Sequence, residues 1–240
     1  MGLFKQTPRM GTTLRVLSRL LSYPDAELRA HLDELRVALD AEPALSPGRR
    51  AELVALLDQL ARADALEAEA DYVALFDRGR GTSLHLFEHV HGDSRDRGPA
   101  MIDLARTYAQ AGLHLAPHEL PDYLPVVLEF ASTLAPAAAR DFLAETAHIL
   151  DALFGVLCRR RSAYASVIGA LLELAGEEAD AAPFATEAAP VAEDAEEDVD
   201  GSWAEPPVFD GCSLRGQAGP GQAQPIHFVR KPGINAGGQA

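Results

Sequence analysis

Apolar side chains recur every three or four residues through most of the helical body, which is the spacing of amphipathic helices. In residues 12–21, four leucines fall on one helical face, and Ser46 followed by Pro47 is a typical helix start. Further helices are predicted to begin near Pro24, Pro99 and Pro121. The same spacing predicts helices over residues 64–76, 84–90, 136–160 and 162–175.

The sustained alternation of a β-strand is missing, so the body over residues 1–178 is predicted to be all-α, a single-domain bundle of about eight helices. Residues 177–200 are mostly Ala, Pro, Glu and Asp, and residues 211–240 are rich in Gly, Pro and Gln. Such segments bury too little apolar surface to offset the entropy lost on ordering, which predicts a mostly disordered, acidic tail over 179–240. Within it, residues 203–209 (WAEPPVF) are interpreted either as a short binding motif or as a segment that packs back on the body.

The chain of 240 residues carries a formal net charge of −15. Because like charges repel, this excess of acid argues against nucleic acid as a partner and favours basic partners. The two cysteines, Cys158 and Cys212, lie far apart and suggest neither a disulfide framework nor a metal-binding pair. We find no secretory signal and no apolar run near the roughly 20 residues that span a bilayer, so we expect a soluble, cytoplasmic protein without membrane insertion.

Residues 83–101 (SLHLFEHVHGDSRDRGPAM) concentrate histidines, acids and arginines between two predicted helices. Here His85, Glu88 and His89 match H-x-x-E-H, in which two histidines one helical turn apart bind zinc and the glutamate acts as general base. A catalytic zinc normally needs a third protein ligand, and no downstream motif identifies one. A zinc hydrolase is therefore the alternative from a different functional class.

A binding function is the other interpretation of this region. Residues 122–125 (DYLP) begin a helix with an acid at its edge, and residues 67–76 give a second acidic and aromatic face. Such surfaces suit a basic amphipathic helix, because apolar anchors supply affinity while acids set register and association rate. Solvated faces of ordinary helices are also consistent with these residues.

Four segments carry a resemblance to a known family: LSYPD at 21–25, the stretch 69–101, ELPDYLPVVLEF at 119–130, and W-x-E-x-x-V-x-F, which begins at Trp203. They resemble the NarJ family, the delta subunit or molybdenum-cofactor assembly chaperone of respiratory nitrate reductase. That family belongs to a wider TorD-like group of redox-enzyme maturation chaperones. The resemblance covers most of residues 10–175 together with the tail motif.

This resemblance implies an all-α, TorD/NarJ-like fold and a chaperone that is not an enzyme, with no cofactor and no metal. It implies binding to the apo form of the catalytic α subunit of nitrate reductase through the N-terminal segment of that subunit. The protein would then support insertion of the iron–sulfur and molybdenum cofactors before the α subunit docks at the membrane. Proteins of molybdenum-cofactor biosynthesis are further expected partners, and a TorD-like chaperone for another molybdoenzyme is the alternative within this class.

The resemblance also implies a set of client-peptide-binding residues. They are Tyr72, Phe76, His85, Leu86, Phe87, Glu88, His89, Asp122, Tyr123, Leu124, Glu129 and Phe130. The aromatic and aliphatic members would line a groove or the core, the acids would face the client, and the histidines would shape the site without binding zinc. Because imidazole titrates near neutrality, the histidine cluster that ends at His91 predicts that client affinity changes with pH.

Overall fold

The computed structural model describes residues 8–91 and 94–179. Within these ranges the chain forms eleven α-helices and a 3-10 turn at Arg80–Thr82, and it forms no β-strand. The helices are α1 (Gly11–Leu20), α2 (Ala26–Ala30), α3 (Leu32–Ala41), α4 (Pro47–Arg62), α5 (Ala65–Phe76), α6 (Leu86–Val90), α7 (Arg97–Gln110), α8 (Leu124–Thr133), α9 (Pro136–Glu145), α10 (Ala147–Arg159) and α11 (Ala165–Ala175). The predicted tail from residue 180 onward, with its apolar island at 203–209, lies outside the described residues.

The all-α prediction is confirmed for the described residues, and the additional helices come from two breaks that the periodicity did not show. The predicted second helix is divided at His31 (φ −110°, ψ 12°) between α2 and α3. The predicted helix over 136–160 is divided at Thr146 (φ −98°, ψ 0°) between α9 and α10. There the N–H and the hydroxyl of Thr146 both donate to the Leu143 carbonyl, at 3.0 and 2.9 Å, which tightens the last turn of α9 without Gly or Pro.

The core forms where α1, α4, α8, α10 and α11 meet. All four leucines predicted on one face of α1 are fully buried. Each buried leucine side chain contributes about 1.5–3 kcal/mol of hydrophobic stabilisation. Helix α11 is apolar on all sides and buried from Ser166 to Leu172, as expected of a central helix. No helix in the described ranges is long and apolar enough to cross a membrane.

Helix α1 lies directly against α8, and this contact fixes the position of the α8 N-terminus. A Cβ added to Gly11 would lie 2.9 Å from the carbonyl oxygen of Ser132, so only glycine allows this approach. At the other end of α1, the hydroxyl of Ser18 donates to the carbonyl of Pro125 at 2.9 Å. These two contacts therefore fix the position of the α8 N-terminus relative to α1.

The predicted helix start at Ser46 and Pro47 is confirmed as the start of α4. The hydroxyl of Ser46 accepts from the Arg49 N–H at 3.3 Å and donates to the Glu173 carboxylate at 3.0 Å. The N-cap residue of α4 is therefore bonded directly to α11, and this bond holds the two helices together.

Candidate functional site

An isolated antiparallel β-bridge between His85 and Tyr123 joins two distant segments of the chain. The Leu124 N–H donates to the Leu84 carbonyl at 2.8 Å, and the Leu86 N–H donates to the Asp122 carbonyl at 3.0 Å. These bonds place the start of α6 beside the start of α8. The histidine-rich segment and the DYLP segment, which are separated in the sequence, therefore form one corner of the molecule.

Asp122 is the polar centre of this corner, and its exposure is 0%. Its Oδ2 accepts the Phe87 N–H at 3.1 Å, which satisfies a backbone donor in the first turn of α6. His85 Nδ1 lies 3.4 Å from Oδ1, and Arg97 Nη2 lies 4.0 Å from Oδ2. A buried carboxylate is costly unless it is paired. The contacts of Asp122 with α6, His85 and Arg97 compensate for its burial, and they hold these three groups in place.

Two groups around Asp122 extend the network to the surface. Arg97 also contacts the carboxylate of Glu88, 3.3 Å from its Oε1. The hydrogen bond with Asp122 raises the pKa of His85, partial burial opposes this shift, and the charges of Asp122 and Glu88 add to it. The His85 ring lies 5.2 Å from the ring of Tyr123, so the imidazole is held between an acid and an aromatic face.

An aromatic cluster lies next to this network. The ring of Tyr72 lies 4.8 Å from that of Phe76 and 5.6 Å from that of Tyr23, and the ring of Tyr164 lies 5.1 Å from that of Phe76. The Tyr72 hydroxyl donates to the Leu21 carbonyl at 2.7 Å. Burial raises the pKa of Tyr72 far above its usual value, so its hydroxyl stays protonated as that donor.

Two adjoining cavities open at this corner, and they share Phe76, Asp77 and His85. We call the smaller one, of about 200 Å³, the aromatic pocket; it is lined by Tyr23, Tyr72, Phe76, Asp77, Leu84, His85 and Tyr123. We call the other, of about 280 Å³, the outer pocket; it is lined by Phe76, Asp77, Arg78, Gly79, Arg80, Ser83, His85 and Glu88. Together they form what we call the signature groove.

A separate cavity of about 420 Å³ lies where α1 and α8 meet the loop after α7. We call it the α1–α8 cavity; it is lined by Arg15, Arg19, Tyr108, Leu113, His114, Leu115, Glu119, Val126, Glu129, Phe130, Ser132 and Thr133. Its apolar part is built on Tyr108 and Phe130, whose ring centroids are 4.7 Å apart. The basic side chains Arg15 and Arg19 lie at its edge.

The predicted site residues are divided between these places. The signature groove contains Tyr72, Phe76, His85, Glu88 and Tyr123. Next to it, α6 contributes Leu86, Phe87 and His89, of which Leu86 is buried and the other two are half-buried. Glu129 and Phe130 line the α1–α8 cavity instead, because α8 runs from one cavity to the other.

One predicted orientation, that of Asp122, was wrong in this structure. Asp122 was expected as an acid that faces the client, but it is fully enclosed because it bonds to α6, His85 and Arg97. Leu124, exposed by only 1%, packs behind the β-bridge, and Phe130 is buried as well; both are compatible with the expectation that the aliphatic and aromatic members line a groove or the core. Of the three predicted acids, Glu88 and Glu129 reach the surface.

The predicted set lacked three residues that line the aromatic pocket, Tyr23, Asp77 and Leu84. It also lacked four that line the outer pocket, Arg78, Gly79, Arg80 and Ser83. The sequence did contain a signal for Tyr23, because this residue belongs to the LSYPD motif. In the structure its side chain is 42% exposed. Asp77 directly follows the predicted Phe76, at the C-terminus of α5. Leu84 precedes His85, and its place in the pocket depends on the β-bridge, which has no local sequence signal.

The geometry does not favour the zinc hypothesis. His85 precedes α6 and turns towards Asp122, whereas His89 Nε2 lies 2.8 Å from the carbonyl oxygen of Ser83. The two imidazoles thus contact different partners. Among residues 8–91 and 94–179, no group of three His, Cys, Asp or Glu side chains is arranged to hold a metal ion.

Comparisons with known proteins identify the family. The model of the nitrate reductase delta subunit family matches residues 42–168, more than half of the chain. NarJ of Escherichia coli K12, named as a nitrate reductase molybdenum cofactor assembly chaperone, is 44% identical over 196 residues, which cover 81% of this chain and 83% of NarJ. NarW of the same organism is 43% identical over 163 residues, 68% of each chain.

A solved structure supports the fold. It comes from Archaeoglobus fulgidus, is described as a redox enzyme maturation protein, and is similar with a TM-score of 0.50 at 21% identity. The match covers 73% of this chain and 99% of the other. The resemblance found in the sequence is therefore confirmed, and the chain belongs to the nitrate reductase delta subunit family.

Proposed function

We propose that this protein is an assembly chaperone, not an enzyme, that binds the catalytic subunit of respiratory nitrate reductase before its molybdenum cofactor is inserted. The name of NarJ, which shares 44% of its residues over most of both chains, supports this function.

The signature groove is the proposed binding site for the N-terminal segment of the catalytic subunit. The observation that carries this proposal is the combination of an aromatic interior with acids at the edge. Tyr72 and Phe76 form the interior, and Asp77 and Glu88 lie at the two pockets. A basic amphipathic segment suits this surface, because its apolar side chains enter the groove while its charges meet the acids.

The predicted residues then divide by role. Side chains that line the groove, such as His85 and Tyr123, contact the client directly. Asp122 acts through them, because it holds α6 and His85 in position. Glu129 and Phe130 lie at the α1–α8 cavity and contribute to stability or to a second contact with the same subunit.

The wider cycle is part of the same proposal. The bound catalytic subunit would be held in the cytoplasm while iron–sulfur clusters and molybdenum cofactor are inserted, and released when it docks at the membrane. Proteins of molybdenum-cofactor biosynthesis would meet the complex at that stage. The helical domain over 1–178 would carry client binding.

A titration tests the core of the proposal. The full-length protein is titrated calorimetrically with the N-terminal peptide of the nitrate reductase catalytic subunit from the same organism. A peptide with the same composition in scrambled order serves as control. Saturable binding of the native peptide alone is the expected result, and equal binding of both peptides, or of neither, would contradict the proposal.

A further inference from the structure

We infer that the aromatic pocket is a recognition site for one cationic side chain, arginine or lysine, of the client segment. The inference rests on the proposed function, and it names the chemical group that the groove selects. Three features support it independently: the ring faces around the pocket, the direction of its hydroxyl protons, and the charges nearby.

The walls of the pocket are aromatic. Tyr72 and Phe76 lie in the interior, and Tyr23 stands edge-on to Tyr72, with an interplanar angle of 87°. Tyr123 closes the opposite side next to His85. The faces of aromatic rings carry partial negative charge, and a cation within about 6 Å of such faces is attracted to them. A volume of about 200 Å³ is large enough for the end of one side chain and not for a folded segment.

The hydroxyl protons of Tyr23, Tyr72 and Tyr123 are all donated in hydrogen bonds within the protein. The Tyr23 hydroxyl donates to Glu69 Oε2 at 3.0 Å, and the Tyr72 hydroxyl donates to the Leu21 carbonyl at 2.7 Å. The contact of 3.3 Å between the Tyr72 and Tyr123 hydroxyls must therefore use the proton of Tyr123. None of these three hydroxyls has a free proton to donate to a ligand, which disfavours an acceptor such as a carboxylate or phosphate.

Two acids lie near Tyr23 at the aromatic pocket. Asp77 lies in the pocket wall, and Glu69 is bonded to Tyr23. The hydrogen bond to Glu69 raises the pKa of Tyr23, and the charges of Asp25 and Asp77 contribute to the same shift. These carboxylates lower the energy of a cation beside Tyr23 and raise that of an anion.

Basic residues of this chain lie near the aromatic pocket and restrict where a client cation can bind. His85 is in its wall, and Arg97 is bound to Glu88 and Asp122. Arg78 and Arg80 line the outer pocket. A client cation is therefore expected in the aromatic pocket, between Tyr23, Tyr123 and Asp77, because neither Arg78 nor Arg80 lines that pocket.

The test replaces client charges one at a time. The full-length protein is titrated with the native N-terminal peptide and with peptides in which one arginine becomes citrulline or one lysine becomes norleucine. At one position, loss of the charge should weaken binding about tenfold, and the identity of that position tells arginine from lysine. The remaining positions should change affinity by about twofold or less.

Variants of the protein test whether the lost client charge interacts with the aromatic pocket. Asp77→Asn and Tyr23→Leu should each weaken the native peptide about threefold, and Tyr23→Phe, which keeps the ring, should stay near wild type. Neither Asp77→Asn nor Tyr23→Leu should weaken the uncharged peptide further, because the interacting charge is already absent. Asp103→Asn, an exposed acid on α7, is the matched control and should bind as wild type.

The outcomes separate the two proposals. If the native peptide binds but no uncharged replacement weakens it, the cation pocket is wrong and the proposed function stands. The same holds if the charge effect persists undiminished in Asp77→Asn and Tyr23→Leu, since the cation would then bind elsewhere, for example at Glu88. If the native peptide does not bind at all, the proposed function and the cation pocket both fall.

Discussion

The signature groove and the α1–α8 cavity are both partly apolar, and both contain residues predicted to bind the client, yet they differ in where their charges lie. In the groove, Asp77 lines the aromatic pocket, whereas Arg78 and Arg80 line the outer pocket. In the α1–α8 cavity, Arg15 and Arg19 share a single lining with Glu119 and Glu129. The α1–α8 cavity is larger than either pocket of the groove taken alone, and its lining is more apolar. Volume and apolarity therefore do not identify the site for a basic client. The aromatic pocket is distinguished by its rings beside Asp77, in a lining that includes neither Arg78 nor Arg80.

The largest expected effect separates stability from binding. Phe130→Ala removes a buried ring that packs between Tyr108 and Phe142, so we expect the free energy of unfolding to fall by about 3 kcal/mol in urea. Under conditions in which the variant is folded, its affinity for the client peptide should equal that of wild type, because the ring lies outside the groove. A loss of affinity beyond the unfolded fraction would show that the α1–α8 cavity binds the client.

The second effect concerns the buried acid of the groove. Asp122→Ala leaves the Phe87 N–H and the partners His85 and Arg97 without their acceptor, so we expect a loss of about 2 kcal/mol in the free energy of unfolding. Client affinity should fall as well, because the corner that positions His85 loosens. Asp103→Ala, an exposed acid paired only within α7, should change stability by less than about 0.5 kcal/mol. Equal behaviour of the two variants would refute the structural role of Asp122.

A third effect depends on pH. The pKa of His85 is raised in the folded protein by its hydrogen bond to Asp122, with Glu88 adding and Arg97 opposing. The bond therefore stabilises fully below the ordinary histidine pKa of about 6.5, and this stabilisation is lost as pH rises through the raised value. Between about pH 6 and about pH 8, unfolding free energy should fall more in wild type than in His85→Gln.

Client affinity should change in the opposite direction over the same range. Deprotonation of His85 removes a positive charge from the wall of the aromatic pocket, so binding of a cationic side chain should strengthen as pH rises. Titration calorimetry at both ends of the range measures this change. His89→Gln is the control, since His89 lines neither pocket and its ring bonds to the Ser83 carbonyl. A pH response that survives in His85→Gln would assign the effect to another group.

The smallest expected effect is on client affinity, and it comes from removing one charge in each of the two cavities. Asp77→Asn in the groove should weaken the native peptide about threefold, while Glu129→Gln at the α1–α8 cavity should leave its affinity within error. Both positions are exposed, so neither variant should alter thermal unfolding by more than about one degree. The reverse order of the two affinities would move the binding site to α8.

The helical core was predictable because its signal is local. The leucine spacing of α1 and the Ser46–Pro47 start of α4 depend on neighbours within one or two turns. The breaks at His31 and Thr146 were not predictable in the same way, because neither contains Gly or Pro and both depend on how the flanking helices pack.

The site was predictable only in part. Tyr72, Phe76, His85 and Tyr123 were found because their segments carry the family resemblance, and they do lie together. The burial of Asp122 could not be seen, since its partner Phe87 is 35 positions away and a polar residue before a helix normally faces solvent. Helix α8 likewise carries neighbouring residues to different cavities, and only packing decides which face each meets.

Hydrogen exchange on the full-length protein, with and without the native N-terminal peptide, tests the central claim most directly. Because bound backbone amides are protected, the account predicts that protection increases in residues 76–91 and 120–125, which form the signature groove. Peptide fragments from α1 and from residues 126–133, which line the α1–α8 cavity, should exchange unchanged. Protection confined to those fragments, with the groove unaffected, would contradict the account.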